Sequence, residues 1–122
     1  MTRRVVLAED EPDIRLIARL SLKRAGFDVV TAANGAEALS RVAEHPPDVV
    51  LLDWMMPEMD GPSACTRLKA DEATRGIPVI FLTARSQESE IKRGLALGAL
   101  GYITKPFDAA SLGDRVRQLL EA

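Results

Sequence analysis

Short apolar runs that alternate with longer amphipathic segments constrain the fold of this chain more than any other feature. Alternation of this kind is typical of βαβ units, in which helices connect the strands of a parallel sheet. Three runs are almost continuously apolar, as expected for strands covered by helices on both faces, whereas the run beginning at Asp28 is less apolar and suits a sheet edge. The predicted strands are Arg4–Glu9, Asp28–Ala32, Val49–Asp53, Val79–Thr83 and Gly101–Thr104.

Capping and helix-breaking residues predict where the intervening helices begin and end. Proline in a first turn loses no hydrogen bond, Asn, Asp or Ser caps a helix start, and glycine or proline follows a helix end. The start signals are Pro12, Asn34, Asp60 or Gly61 before Pro62, Ser86 and Asp108, and the end signals are Gly26, Pro46-Pro47 and Gly98. Five strands and five helices without a linker or repeat predict one doubly wound α/β domain over residues 1–122.

The first predicted helix carries apolar residues on two sides. The residues expected to face the core at helical spacing are Ile14, Ile17, Ala18, Ser21 and Ala25. Leu16 and Leu20 form an i, i+4 pair that points elsewhere. That pair is either ordinary partial burial at the helix edge or a contact surface for a partner.

Composition excludes several classes of function. The net charge of −2 offers no basic surface for nucleic acid, so direct binding of DNA or RNA by this chain is disfavoured. A single cysteine, Cys65, cannot form an internal disulfide and fits a reducing compartment. No apolar stretch approaches the ~20 residues that a membrane span needs. We therefore expect a cytoplasmic protein.

Polar residues stand at the ends of four predicted strands. Glu9 and Asp10 follow the first strand, Asp53 ends the third, and Thr83 and Lys105 belong to the fourth and fifth. In a doubly wound sheet the ligand site lies at the carboxyl ends of the strands, so these side chains should converge. Like charges would oppose such a cluster of carboxylates unless a hard cation such as Mg²⁺ is bound. The set predicts a site that takes up a phosphoryl group.

The motifs that contain these residues resemble the response regulator receiver family of two-component signalling, over essentially the whole chain. The matching segments are Leu7–Glu11 (LAEDE), Leu52–Gly61 (LDWMMPEMDG), Phe81–Ala84 (FLTA) and Gly101–Phe107 (GYITKPF). The resemblance implies a flavodoxin-like sheet with strand order 2-1-3-4-5 and a cis peptide bond between Lys105 and Pro106.

The resemblance also implies a role for each site residue. Asp53 would be the phosphoacceptor, and Mg²⁺ or Mn²⁺ would be held by Asp10, Asp53, the backbone carbonyl of Met55 and, largely through water, Glu9. The phosphoryl group would receive a hydrogen bond from Thr83 and pair with Lys105, while Tyr102 would rotate inward. The responding surface would comprise the fourth helix, the fifth strand and the fifth helix.

The implied partners are a histidine kinase or histidine phosphotransfer protein as donor and an unidentified protein as target. Ile14, Leu20 and Pro106 are candidate docking residues for the donor. We expect no enzymatic activity beyond self-catalysed phosphorylation and dephosphorylation of the aspartate, and a monomer or a phosphorylation-dependent dimer. No residues follow the last helix, so the chain is either a stand-alone phosphoacceptor or an excised domain.

Other readings of the same residues fit less well. A single aspartate at a strand end is usually structural. Asp53 is interpreted as a functional residue only because the other four polar residues at the strand ends occur with it in the expected order. An aspartyl phosphatase would need a second acid two residues later, where Met55 stands. An adaptor without phosphate chemistry would not require all five residues. A flavin-binding protein would need a phosphate loop where Glu9-Asp10-Glu11 would repel phosphate.

Several positions depart from the family pattern or are expected to be structural. Met55 and Arg85 offer no carboxylate or amide to orient a hydrolytic water, which predicts slow self-dephosphorylation. Leu100-Gly101 replaces two acids that often join receiver dimers, so that type of dimer is in doubt. Met55, Met56 and Met59, in the loop that follows the third predicted strand, are expected to pack within that loop. Cys65 is expected inside the third helix and His45 at a solvated helix end.

Overall fold

The computed structural model describes residues 3–83 and 88–121, and these form alternating strands and helices. The strands are β1 (Arg4–Ala8), β2 (Asp28–Ala32), β3 (Val49–Asp53), β4 (Val79–Thr83) and β5 (Gly101–Thr104). The helices are α1 (Pro12–Arg24), α2 (Gly35–Glu44), α3 (Gly61–Ala70), α4 (Glu88–Ala96) and α5 (Leu112–Glu121). All five strand predictions are confirmed, with β1 one residue shorter than expected.

The strands form one parallel sheet in the order β2-β1-β3-β4-β5, as the resemblance implied. β1 pairs with both β2 and β3. The direction in which successive strands are added to the sheet therefore reverses beside β1. β2 lies at one edge, which agrees with its less apolar sequence, while β1, β3 and β4 are buried along almost their whole length. This architecture confirms the flavodoxin-like, doubly wound fold.

Two apolar layers cover the sheet because successive strand side chains point to opposite faces. One layer joins Val6, Val50 and Phe81 to the buried faces of α2 and α3. The other joins Leu7 and Leu51 to α1 and α5. Cys65 is fully buried within the first layer, as predicted.

The core-facing side of α1 is rotated from the expected one. Ile17 is 45% exposed, whereas Leu22, which does not belong to the predicted core face, is fully buried beside Ala18. α5 packs closely against α1, and a Cβ added at Gly113 would lie 2.4 Å from the Ala25 Cβ. The face centred on Ala18 and Leu22 is thus buried, and Ile17 lies on the exposed flank.

The helix ends largely follow the predicted signals. The side chain of Asn34 accepts a hydrogen bond from the Glu37 amide at 2.8 Å, and Asp60 accepts one from Ser63 at 2.8 Å. Asp108 differs from expectation: its side chain accepts from the Ala110 amide at 2.9 Å, forming a turn that precedes α5 instead of capping the helix directly. Ser86, the expected cap of the fourth helix, lies outside the described residues.

Within residues 3–83 and 88–121, no helix combines the length and the apolar character needed to cross a bilayer. The longest helix, α1, has 13 residues. A transmembrane helix requires about 20 mostly apolar residues.

Candidate functional site

The carboxyl ends of four strands deliver the predicted site residues to one edge of the sheet. Glu9 follows β1, Asp53 ends β3, Thr83 ends β4 and Lys105 follows β5. β1 and β3 are neighbours at the point where the strand order reverses, which is where ligands bind in sheets of this type. An open cleft at this edge is lined by Asp10, Asp53, Met55, Thr83, Glu90 and Lys105, among others.

Three carboxylates meet in this cleft. One carboxylate oxygen from each of Glu9, Asp10 and Asp53 lies within 4.8 Å of the others. Glu9 is fully buried, Asp53 is 7% exposed and Asp10 is half-buried. Oxygen donors of this charge and spacing fit a hard divalent cation such as Mg²⁺, and the absence of thiolate or imidazole from the group disfavours a softer metal.

Glu9 is held from several directions. One of its carboxylate oxygens, Oε2, accepts a hydrogen bond from the Glu11 amide at 3.1 Å. Oε1 forms an ion pair and a short hydrogen bond with the Lys105 ammonium. Arg15 donates to the backbone carbonyl of Glu9 at 2.8 Å. These bonds hold a buried anion that would otherwise be costly to keep charged.

The Lys105 ammonium joins Glu9 to Asp53. Its Nζ lies 3.1 Å from the Asp53 Oδ1, and the side chain is only 15% exposed. Burial alone would lower the pKa of Lys105, but its hydrogen bonds to and the charges of Glu9 and Asp53 outweigh this effect and raise the pKa. Lys105 therefore stays cationic and balances part of the local negative charge. The Lys105–Pro106 peptide bond is cis, as the resemblance implied.

The pKa of Asp53 is strongly perturbed. It is raised from 3.8 to about 7, mainly by burial and then by the negative charge of Glu9, while Lys105 acts in the opposite direction. A carboxyl group that is hard to ionise beside two other acids marks a site that gains from added positive charge.

Thr83 is 3% exposed, and its hydroxyl donates a hydrogen bond to the Glu90 Oε2 at 3.1 Å. Glu90 is a site residue that the sequence motifs do not indicate. Its position seven residues after Thr83 was the available signal, because the helix that follows a strand begins beside that strand's carboxyl end. Glu90 also lines the cleft that contains Asp53.

Tyr102 points outward and is 37% exposed. Between its strand and α4 lies a cavity of about 10 Å³, with Thr83, Glu90, Gly94 and Gly101 in its lining. This volume is about enough for one water molecule. The cavity adjoins the Thr83 hydroxyl, so a change at Thr83 is within reach of Tyr102.

Trp54 connects the site to α4. Its ring meets Phe81 edge-on, with ring centroids 4.9 Å apart, and the Arg93 guanidinium carbon lies 5.7 Å from the centroid of the Trp54 ring. Trp54 directly follows Asp53 in the chain. Its fluorescence should therefore respond to changes in the cleft.

The β3–α3 loop departs from one expectation. Met56 and Met59 pack against the core, but Met55 is 77% exposed, so the prediction that it packs in the loop is wrong. Met55 immediately follows the buried strand end and lines the cleft mouth, where its side chain meets solvent. Arg85, expected to flank the same opening, lies outside the described residues. His45 is exposed after α2, as predicted.

Two of the three candidate docking residues lie at or next to this opening. Ile14 is half-buried and lines the cleft, Pro106 is exposed next to Lys105, and Leu20 is 51% exposed farther along α1. Leu16 is also 51% exposed, so the leucine pair of α1 is open to solvent. On the opposite side, Leu100 is 42% exposed.

Comparison with known proteins agrees with this arrangement. The family model of the response regulator receiver domain matches residues 5–117. The phosphate regulon transcriptional regulatory protein PhoB of Rhizobium meliloti is 42% identical over 120 residues, which cover 98% of this chain and 53% of that protein. The DNA-binding dual master transcriptional regulator RpaA of Synechocystis is 39% identical, over 96% of this chain and 48% of its own. The chain spans about half the length of the curated relatives it matches.

Solved structures give the same result. A putative response regulator from Chloroflexus aurantiacus superposes with a TM-score of 0.92 at 30% identity, covering 100% of both chains. The chemotaxis response regulator CheY4 of Vibrio cholerae superposes with a TM-score of 0.91 at 28% identity, over 98% of this chain and 99% of its own. With the family model matched across nearly the whole chain, this protein belongs to the response regulator receiver domain family of two-component signalling.

Proposed function

We propose that this receiver domain is a phosphorylation switch in which Asp53 accepts a phosphoryl group from a histidine kinase or a histidine phosphotransfer protein. The observation that carries the proposal is the buried Asp53 carboxylate, 3.1 Å from the Lys105 ammonium and grouped with Glu9 and Asp10. A buried nucleophile with a fixed cation and a metal-type acid cluster beside it suits phosphoryl transfer better than any structural role.

The chemistry assigned to Asp53 is a nucleophilic displacement at phosphorus. A carboxylate oxygen of Asp53 forms a new P–O bond, while the P–N bond to the donor histidine breaks and its electron pair returns to the imidazole. Lys105 balances negative charge on the phosphoryl oxygens, and the Thr83 hydroxyl donates a hydrogen bond to one of them.

Mg²⁺, or Mn²⁺ in its place, is the cofactor that fits the site, with Asp10, Asp53 and the Met55 carbonyl as direct ligands. Glu9 is already bonded to Lys105 and contributes mainly through water. When bound, the ion supplies the positive charge that offsets the developing charge of the transferred group. The residues themselves position the phosphoacceptor and exclude bulk water around it.

The output of the switch is a changed surface over α4, β5 and α5, which an unidentified protein target reads. Tyr102 is the residue expected to move, since it lies outward beside a small cavity. Candidate contacts for the phosphodonor protein are Ile14 in the cleft lining, Pro106 beside Lys105 and Leu20 farther along α1. The chain carries out no catalysis on other substrates, acts in the cytoplasm, and is monomeric or dimerises on phosphorylation.

The direct test is incubation with Mg²⁺ and a small acyl phosphate, followed by intact-mass measurement. We expect one added phosphoryl group in the wild type and none in Asp53→Asn or after chelation of Mg²⁺. Asp114→Asn, which changes an exposed carboxylate, is the matched control and should behave as wild type. Phosphorylation that persists in Asp53→Asn would refute the assignment, and the absence of both phosphorylation and Mg²⁺ binding would favour an adaptor without phosphate chemistry.

A further inference from the structure

The hydrogen bond between Thr83 and Glu90 joins the phosphoryl site to α4. The Thr83 Oγ1 donates to the Glu90 Oε2 at 3.1 Å, and Glu90 lies in the first turn of α4. Both residues line the cleft that holds Asp53. Glu90 therefore places a fourth carboxylate in the cleft that holds Glu9, Asp10 and the phosphoacceptor Asp53.

A phosphoryl group on Asp53 would compete with this bond. A threonine hydroxyl has one hydrogen, so it donates either to the Glu90 carboxylate or to a phosphoryl oxygen, but not fully to both. An ionised carboxylate accepts hydrogen bonds and donates none, so Glu90 cannot bond a phosphoryl oxygen directly. Like charge makes the two anions repel as well.

We propose that Glu90 is a positioning residue that holds the Thr83 hydroxyl away from the phosphoryl site and is displaced when Asp53 is phosphorylated. This inference rests on the proposed function of Asp53. Glu90 opposes phosphorylation in the free protein, and its release passes the event to the first turn of α4.

The other contacts of α4 explain why the response begins at this end. Beyond Glu90, the helix is held by Gly94, where an added Cβ would lie 3.0 Å from the Phe81 ring, and by Arg93 over the Trp54 ring. These contacts do not depend on the Thr83 hydroxyl. Loss of the Thr83–Glu90 bond thus removes a contact of the first turn, while the middle of the helix stays packed.

The test compares phosphorylation rates of wild type, Glu90→Gln and Glu90→Ala with Mg²⁺ and a small acyl phosphate. Loss of one hydrogen-bonded competitor should raise the rate of Glu90→Ala by between about two- and tenfold. Glu90→Gln keeps a hydrogen-bond acceptor but loses the charge, so its phosphorylation rate should lie between those of the wild type and Glu90→Ala. Glu88→Ala removes the same charge from an exposed position on the same helix and should match the wild type.

A double-mutant cycle separates action through Thr83 from a general loosening of α4. The rate increase caused by Glu90→Ala should disappear in the Thr83→Val background, because no hydroxyl remains to be released. Trp54 fluorescence during titration with Mg²⁺ and beryllofluoride, a phosphoryl mimic, provides an equilibrium readout. Half-saturation should occur at a lower concentration in Glu90→Ala and not in Glu88→Ala.

Each outcome gives a distinct result. A faster Glu90→Ala whose advantage depends on Thr83 supports the proposal. Equal or slower phosphorylation of Glu90→Ala in a wild type that is itself phosphorylated overturns the role of Glu90 and leaves Asp53 as acceptor. An increase that persists with Thr83→Val overturns action through the hydroxyl. A wild type that takes up no phosphoryl group overturns both proposals.

Discussion

The buried Asp53 carboxylate should destabilise the metal-free protein at neutral and alkaline pH, and Asp53→Asn should therefore stabilise it. The folded state raises the pKa of this group from 3.8 to about 7, mainly through burial and then through the charge of Glu9. Between these values the folded protein keeps a proton that the unfolded chain releases. Because the folded state binds more protons, stability contributed by this group falls as the pH rises through that window.

A shift of this size corresponds to about 4 kcal/mol at pH values above 7. Asp53→Asn removes this ionisation cost, which already includes the favourable contact with the Lys105 ammonium, so we expect a gain of about 4 kcal/mol at pH 8. For a domain of this size that gain raises Tm by about 12 °C. At pH 5 folded Asp53 is protonated but the unfolded chain is still ionised, so a gain of about 1.5 kcal/mol should remain, and it should vanish only below about pH 4.

Thermal unfolding followed by circular dichroism in chelator, at several pH values from 5 to 8, measures this difference. Saturating Mg²⁺ should stabilise the wild type more than Asp53→Asn. The difference in Tm between the two proteins at pH 8 should therefore become smaller. Asp114→Asn changes an exposed acid 3.7 Å from Arg117 and should shift the unfolding free energy by less than about 0.5 kcal/mol. A variant no more stable than wild type at pH 8, or a pH-independent gap, would refute the reasoning.

Four further changes test separate features. Lys105→Met removes the cation between two buried carboxylates and should lower the free energy of unfolding in chelator by about 3 kcal/mol, measured with urea. Gly113→Ala places a Cβ 2.8 Å from the Ser21 carbonyl oxygen and should cost about 2 kcal/mol in the same assay. Glu58 has a φ of 65°, so Glu58→Gly should raise stability by about 0.5 kcal/mol, whereas Glu58→Ala, which keeps the backbone cost, should not. Met55→Asn adds an amide at the cleft mouth and should shorten the half-life of phosphorylated protein, followed by intact mass; an unchanged half-life would contradict slow hydrolysis arising from Met55.

The strands and their polar ends were predictable because parallel strands buried on both faces leave a strong local signal. The runs at Val49 and Val79 are apolar throughout, and the polar residue that ends each of them falls at the carboxyl edge by topology. Local pattern therefore sufficed to place Asp53 and Thr83 at the same edge of the sheet. The strand order came from the family resemblance, since local pattern does not determine which strands pair.

Features that depend on contact between distant helices were not predictable from local pattern. Ile17 is exposed and Leu22 is buried although both are apolar residues of α1, and the close approach of α5 to α1 depends on Gly113, which is remote in sequence. The bond between Thr83 and Glu90 likewise depends on how α4 lies against the sheet. Periodicity places a residue on one face of its own helix. It does not determine how the helix is rotated about its axis when it packs against a neighbouring element.

The raised pKa of Asp53 also links metal uptake to acid release. With a pKa of about 7, this carboxyl group exchanges its proton near neutral pH in the metal-free protein. A metal ion needs the carboxylate, so its binding expels that proton, and acidification competes with the metal for the same oxygen atoms. The apparent affinity of the cleft for Mg²⁺ should thus weaken with falling pH below 7, which would make readiness for signalling sensitive to the pH of the surrounding solution.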